Sequence, residues 1–145
     1  MSLLNRLLPA DPNRFDGPAG AIALLAAYNV AGTARSLVHI IAPDSGAGTI
    51  ASIDTRGDGG ANAISLLAQW GGAQFLESGM IWVAVVRYRG LVPLMWAAVT
   101  AEQALRVGIG RRKKLVTAHT PPGAASRYAL PAAAAALVWS LAARR

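Results

Sequence analysis

At 145 residues the chain is short enough to be one domain, residues 1–145. Hydrophobic residues make up 54% and charged residues 14%, with mean hydropathy +0.38, whereas a soluble globular domain carries about 25% charged residues. There is no cysteine, which excludes disulfides, thiolate metal sites and cysteine nucleophiles. The net charge of +7 gathers at predicted helix ends without a base-stacking aromatic pattern, so the expected anion is a lipid head group and not nucleic acid.

Residues 1–16 open the chain. Leu3, Leu4, Leu7 and Leu8 recur at helical spacing before Pro9 and Pro12, which predicts either a short amphipathic segment lying in a membrane interface or a disordered terminus. Pro9, Asp11 and Asp16 interrupt the stretch before any apolar core begins, so no signal-peptide pattern is expected. Residues 18–42 form the first predicted span, apolar from Ala21 to Val30 apart from Asn29, with Arg35 and His39 four residues apart and therefore on one helix face. A polar loop rich in Gly, Ser and Asp follows, from Pro43 to Gly60.

Residues 62–87 are the second span. Gln69, Gln74 and Glu77 interrupt it, and Gly71 and Gly72 offer a smooth surface for helix contact. The turn Arg87-Tyr88-Arg89-Gly90 joins it to the third span, residues 91–110, which has Pro93 in its first turn and carries Glu102 and Arg106 in the acid-first order that favours an intrahelical pair. The arrangement reads as a hairpin of two apolar helices around which the remainder is organised. After Arg111-Arg112-Lys113-Lys114 and a loop through Pro121-Pro122, residues 127–143 give a fourth, alanine-rich span, whose Ala133 and Ala136 suit close packing.

The predicted fold is thus all-α: an integral membrane four-helix bundle with a short N-terminal interfacial segment. A soluble bundle of the same sequence would need wet helix faces, which apolar runs of about 20 residues do not offer. Multi-pass insertion in the cell inner (plasma) membrane is expected. Arg6, Arg14, Arg87, Arg89, Arg144 and Arg145 favour cytoplasmic termini, and the Arg111 to Lys114 run favours the reverse. Of the two, cytoplasmic termini agree with the short Arg87–Arg89 turn.

Arg35, His39, Glu77, Glu102 and Arg106 are ionisable residues inside apolar spans. A lone charge at mid-bilayer costs about 2.5–3.5 kcal/mol on insertion scales, so these should face the bundle interior and pair, Arg35 with Glu77 or Glu102, and Gln69 or Gln74 should complete the polar lining. Three readings stay open: an ion-pair network that locks the helices, a polar pocket for the head of a lipid, sterol or pigment, and a proton path through His39 or a carboxylate. His39 and His119 are the only histidines, and no metal set or nucleophile accompanies the carboxylates. No metal and no cofactor is expected; a bound lipid is the one small molecule the pattern leaves room for.

Ala34-Arg35 and His39 end the first helix, Pro43-Asp44 and a Gly/Ser-rich loop lead to Asp54, and a glycine-containing helix with Trp82 follows. Arg106 stands near the end of the third helix, and Pro121-Pro122 precedes the fourth. In these features the chain resembles a bacterial family of uncharacterised small four-helix membrane proteins and, more distantly, the small membrane scaffold of fungal ergosterol synthesis. The first resemblance implies fold and topology. The second implies a protein that holds membrane enzymes together without catalysing anything. The expected role is therefore a non-catalytic accessory or scaffold subunit, with the bilayer and another membrane protein, or a second copy, as partners. A carrier of a small lipophilic ligand is the alternative, and a proton-coupled transporter or lipid-modifying enzyme a further one.

Overall fold

Prolines set the limits of the first long helix. In the computed structural model, which describes residues 3–142, Pro18 precedes helix α2 (Ala19–Ile41) with extended backbone, and Ala42 just before Pro43 is extended again, at φ −65° and ψ 140°. The ring of Pro43 disfavours a helical residue before it, so the helix ends there. A single short helix, α1 (Leu3–Leu7), stands ahead of it. Helix α3 (Gly60–Val86) and helix α4 (Val92–Arg112) are separated by one 3-10 turn at Arg89–Leu91. Helix α5 (Ser126–Ser140) follows a second such turn and contains Pro131. Among the described residues there is no strand.

The long helices match the predicted spans to within about two residues, except that α5 stops at Ser140; the predicted end at position 143, with Arg144 and Arg145, lies outside the described residues. One helix among the described residues, Ala19–Ile41, is long and apolar enough to cross a membrane, at mean hydropathy 1.3. The others fall short for identifiable reasons. Gln69, Gln74, Glu77 and several glycines dilute α3, α4 carries Glu102, Arg106, Arg111 and Arg112, and α5 has 15 residues.

The chain folds as two helix pairs, α2 on α3 and α4 on α5, with a thinner seam between the pairs. This corrects the expectation of a central hairpin of α3 and α4: the two are joined by a tight turn but touch little. The apolar core straddles the seam. Leu25 of α2, Ile81 and Val85 of α3, Val92, Trp96 and Val99 of α4, and Ala133 and Ala136 of α5 are buried together. Trp96 Nε1 donates to the Ala21 carbonyl oxygen at 3.1 Å, linking α4 to α2.

Buried polar groups also bind α2 to α3. Asn29 Nδ2 donates to the Ser78 carbonyl oxygen at 2.9 Å, and Trp82 Nε1 donates to Thr33 Oγ1 at 3.1 Å. Gly71 lies directly on α2, where an added Cβ would stand 2.5 Å from His39 Cβ and 3.2 Å from the Ser36 carbonyl oxygen. Gly72 does not face α2: nothing lies within 4 Å of a Cβ built there. Successive helix residues point about 100° apart, so only one of two neighbouring glycines meets the partner helix.

The loop between α2 and α3 is built around Asp44. Its carboxylate accepts backbone N–H bonds from Gly46 at 2.9 Å, Gly48 at 3.1 Å and Thr49 at 2.8 Å. Ser45, Gly46 and Ser52 take positive φ to make the turns. His39 Nδ1 donates to the Ser45 carbonyl oxygen at 2.7 Å, and Ala118 N donates to the Ser52 carbonyl oxygen at 2.9 Å. The acidic loop and the segment after the Arg111–Lys114 run therefore meet at one end of the bundle. At the other end Gly90 N donates to the Pro12 carbonyl oxygen at 2.7 Å and Arg6 donates to the Leu141 carbonyl oxygen.

The N–H groups of Thr49 and Gly46 hold the Asp44 carboxyl below the usual carboxylate range, and the Arg56 guanidinium pulls Asp54 down to about 2. Because both values are depressed, the order they give the loop is complete above the ordinary aspartate range and is lost as pH falls through the lowered values. Hydrogen-exchange protection of the Gly46, Gly48 and Thr49 amides is accordingly expected to persist to acid pH and to collapse only below the ordinary range; Asp44→Ala should reduce it severalfold at neutral pH. Gly71→Leu should destabilise by about 1–3 kcal/mol through overpacking, whereas Gly72→Ala should be neutral or stabilise by up to about 1 kcal/mol, both read from thermal unfolding.

Candidate functional site

Three helices contribute to the polar interior. On α2, Tyr28, Gly32, Arg35 and Ser36 fall at positions i, i+4, i+7 and i+8, which form one face. On α3, Trp70, Gln74, Glu77, Ser78 and Ile81 repeat the same spacing. On α4, Glu102, Gln103 and Arg106 complete the group. Asn29, Ser36, Gln74, Ser78 and Gln103 are all buried.

Glu102 is the hub. Its Oε1 accepts from Arg106 Nε at 2.8 Å, from Arg106 Nη2, and from Gln74 Nε2 at 3.2 Å. Its Oε2 accepts from Gln103 Nε2 at 3.2 Å, and the same amide nitrogen donates to Tyr28 Oη at 2.9 Å. One carboxylate on α4 therefore binds α3 directly and α2 through Gln103. The ion pair is largely enclosed, with side-chain exposures of 14% for Arg106 and 23% for Glu102. Arg106 also lies over the Trp70 ring, 4.6 Å from its centroid, and Arg35 approaches the same ring at 5.9 Å.

Arg35 does not pair as the sequence suggests. Among the described residues no carboxylate lies within ion-pair distance of it, and its Nε is buried without a hydrogen-bond partner. Gln74 Oε1 is in the same condition. Both residues line a small cavity between α2, α3 and α4, with about 20 Å³ of room for a water-sized centre, together with Tyr28, Gly32, Glu77 and Glu102. Glu77 is half-buried on its rim.

Of the residues predicted for the cluster, Arg35, Gln74, Glu77, Glu102 and Arg106 come together around Glu102 and this cavity. Gln69 does not; it is exposed on the outer side of α3. His39 is buried beside Trp70, with ring centroids 5.7 Å apart, but its Nδ1 anchors the loop through Ser45. Since a carbonyl oxygen only accepts, that bond puts the proton on Nδ1. Ala133 and Ala136 are buried in the core as helix-packing residues. Among the described residues no three His, Asp or Glu side chains gather as a metal site would need.

Comparison with protein-family models, with curated proteins and with solved structures gives no match. The site therefore has to be read from its own chemistry. Tyr28, Trp70, Ser78 and Gln103 belong to it and were not expected from the sequence. The signal was present in part: Trp70 is four residues before Gln74, and Tyr28 seven before Arg35, so each shares a helix face with a predicted member.

The enclosed pair makes a sharp expectation. Arg106→Met leaves Glu102 partly buried without its guanidinium partner and should destabilise by about 3 kcal/mol. The double replacement Glu102→Gln with Arg106→Met removes both charges while keeping a carbonyl acceptor for Gln74 and should recover much of that loss. Thermal unfolding of the three proteins under one set of conditions measures the difference.

Proposed function

We propose that the chain is a multi-pass integral protein of the inner membrane that serves as a non-catalytic accessory or scaffold subunit for other membrane proteins. The membrane reading rests on exposed apolar side chains around an interior that also buries polar groups. Large apolar side chains point outward along the helices: Leu24, Val30, Ile41, Leu66, Phe75, Leu76, Met80, Val83, Leu105 and Val138 are exposed, Ile41 by 73% and Leu76 by 71%. Asn29, Ser36, His39, Gln74, Ser78 and Gln103 are buried instead. Water penalises such a surface, and lipid tolerates it while demanding that polar groups be satisfied inside.

The most apolar helix supports the same reading. Only 22% of the most apolar 18-residue stretch of α2 is buried, whereas the core helix of a soluble protein would be mostly enclosed. Nor does α2 behave as a separable leader, since Leu25 and Asn29 are built into the packing with α3 and α4. Four long helices of alternating direction suit termini on one side, taken here as cytoplasmic with the short Arg87–Arg89 turn.

The scaffold role is favoured by helical glycines that the fold itself does not use. Gly72 and Gly79 on α3 and Gly108 on α4 have nothing within 4 Å of a built Cβ. Each costs about 1 kcal/mol relative to alanine in a helix, and the gain that offsets this is close approach by another helix. Gly72 and Gly79 are seven residues apart and so lie along one outer stripe of α3. The polar interior, by contrast, supports a structural lock: its main ion pair is closed and its cavity is far below the about 300–1,000 Å³ of a ligand pocket.

A photo-crosslinking residue at position 72 or 79, introduced in cells, should give discrete adducts with a partner membrane protein or a second copy. The same residue at position 30, on the outer face of α2, should give lipid adducts. Lipid adducts alone at all three positions, with a lone chain in native mass spectra from mild detergent, would contradict the scaffold reading.

A further inference from the structure

The two ends of the bundle differ in how their cations are used. At the end that holds α1 and the α3–α4 turn, the protein occupies most of them itself. Arg6 donates to the Leu141 carbonyl oxygen, Arg14 pairs with Asp16 at 2.9 Å, and Arg87 donates to Asn13 Oδ1 at 3.0 Å. At the opposite end Arg111, Arg112, Lys113 and Lys114 are all exposed. Among the described residues no side chain pairs with any of the four. The acidic loop at the same end does not reach them: Asp44 is turned to N–H groups of its own loop, and Asp54 pairs with Arg56 at 2.9 Å.

The basic run also continues an apolar stripe. Leu105, Ile109 and Arg112 fall at positions i, i+4 and i+7 of α4 and share one face. Leu105 is exposed by 65% and Ile109 by 56%, and Arg112 stands about 10 Å further along the helix axis than Leu105. The helix closes at Lys113, whose N–H donates to the Ile109 carbonyl oxygen. Two aliphatic side chains follow the run, Leu115 and Val116, exposed by 66% and 92%. Just beyond them the Ala118 N–H donates to the Ser52 carbonyl oxygen at 2.9 Å and ties the segment to the loop. Cations and aliphatic side chains therefore share one lip of the bundle, residues 111–116.

We propose that this lip binds anionic phospholipid, with the four cations on head-group phosphates and Leu115 and Val116 in the acyl boundary. The assignment rests on the membrane reading above, and in that topology the lip lies in the leaflet opposite the termini. Each Lys or Arg held near an anionic lipid surface adds to the attraction. A zwitterionic head group carries its own ammonium and gains less from the run. Nucleic acid also offers phosphates, but it stacks its bases on aromatic faces and would leave Leu115 and Val116 in water.

Binding of dioleoyl phosphatidylglycerol and of dioleoyl phosphatidylcholine to the purified full chain in mild detergent tests this, read by native mass spectrometry. Phosphatidylglycerol should be retained about tenfold more tightly. The combined replacement Arg111→Gln, Arg112→Gln, Lys113→Gln and Lys114→Gln should abolish that preference and leave helicity unchanged, because no described side chain pairs with the run. Arg14→Gln with Arg87→Gln removes two cations that the protein already occupies and should keep the preference. Equal retention of the two lipids by the wild-type chain, or a preference that survives the quadruple replacement, overturns the proposal. So does a preference lost equally in the Arg14 and Arg87 double variant, or saturable binding of a single-stranded RNA in place of the lipid. A chain that stays in solution without detergent contradicts the membrane reading alone. Sedimentation with phosphatidylglycerol vesicles and not with phosphatidylcholine vesicles would then uphold the lip, and sedimentation with both or with neither would overturn it.

Discussion

Everything in the bundle turns on the carboxylate of Glu102. The two helix pairs, α2 with α3 and α4 with α5, share only a thin seam. Across it, Gln74 of α3 and, through Gln103, Tyr28 of α2 are tied to this one side chain of α4. Arg106 neutralises it from one turn away on the same helix. Hydrogen bonds to an ionised group are about twice as strong as neutral ones, so a single charge fixes the relative depth of three helices. Trp96 and the Leu25, Ile81 and Val99 contacts then fill the space that this register defines.

A second set of polar contacts, separate from this hub, joins α2 to α3. Asn29 donates to the Ser78 carbonyl and Trp82 to the Thr33 hydroxyl, bonds that an aqueous protein could exchange for water. In a bilayer no such exchange is open to them, and association of helices depends on close packing and on these bonds. Gly71 supplies the close packing, directly against His39 and the Ser36 carbonyl. The loop closes the arrangement: His39 is held by Gly71 on one side and by Ser45 on the other.

Much of the all-helical plan could be read from particular residues. Pro18 and Pro43 bound α2, and the Arg87 to Gly90 turn separates α3 from α4, because backbone chemistry acts locally. The Glu102–Arg106 pair was legible for the same reason, being four residues apart on one helix. What could not be read was rotation. Helix α3 carries polar and small residues on both its outer and its inner side, so neither Gln69 against Gln74 nor Gly71 against Gly72 could be sorted into outside and inside. The pairing of helices was hidden too: a short turn joins α3 to α4, yet the extensive contacts run to α2 and α5. Arg35 shows the limit of charge counting, since its attraction to the nearby carboxylates was anticipated but the hydrogen bonds of Glu102 are taken by Arg106, Gln74 and Gln103. His39 was grouped with the charges although its partner is a loop carbonyl made accessible only by the turn geometry of Ser45 and Gly46.

The central claim is that hydrocarbon is the solvent of the outward-facing helix surface. Because the chain has no cysteine, single cysteines at Leu76 and Met80 of α3 can be spin-labelled without background, with Asp58 in the exposed loop as the aqueous reference. In liposomes, the account predicts that labels at positions 76 and 80 relax with dissolved oxygen and are shielded from a water-soluble nickel chelate, and that the label at 58 behaves in the opposite way. Free access of the chelate to positions 76 and 80 in the folded chain would contradict it.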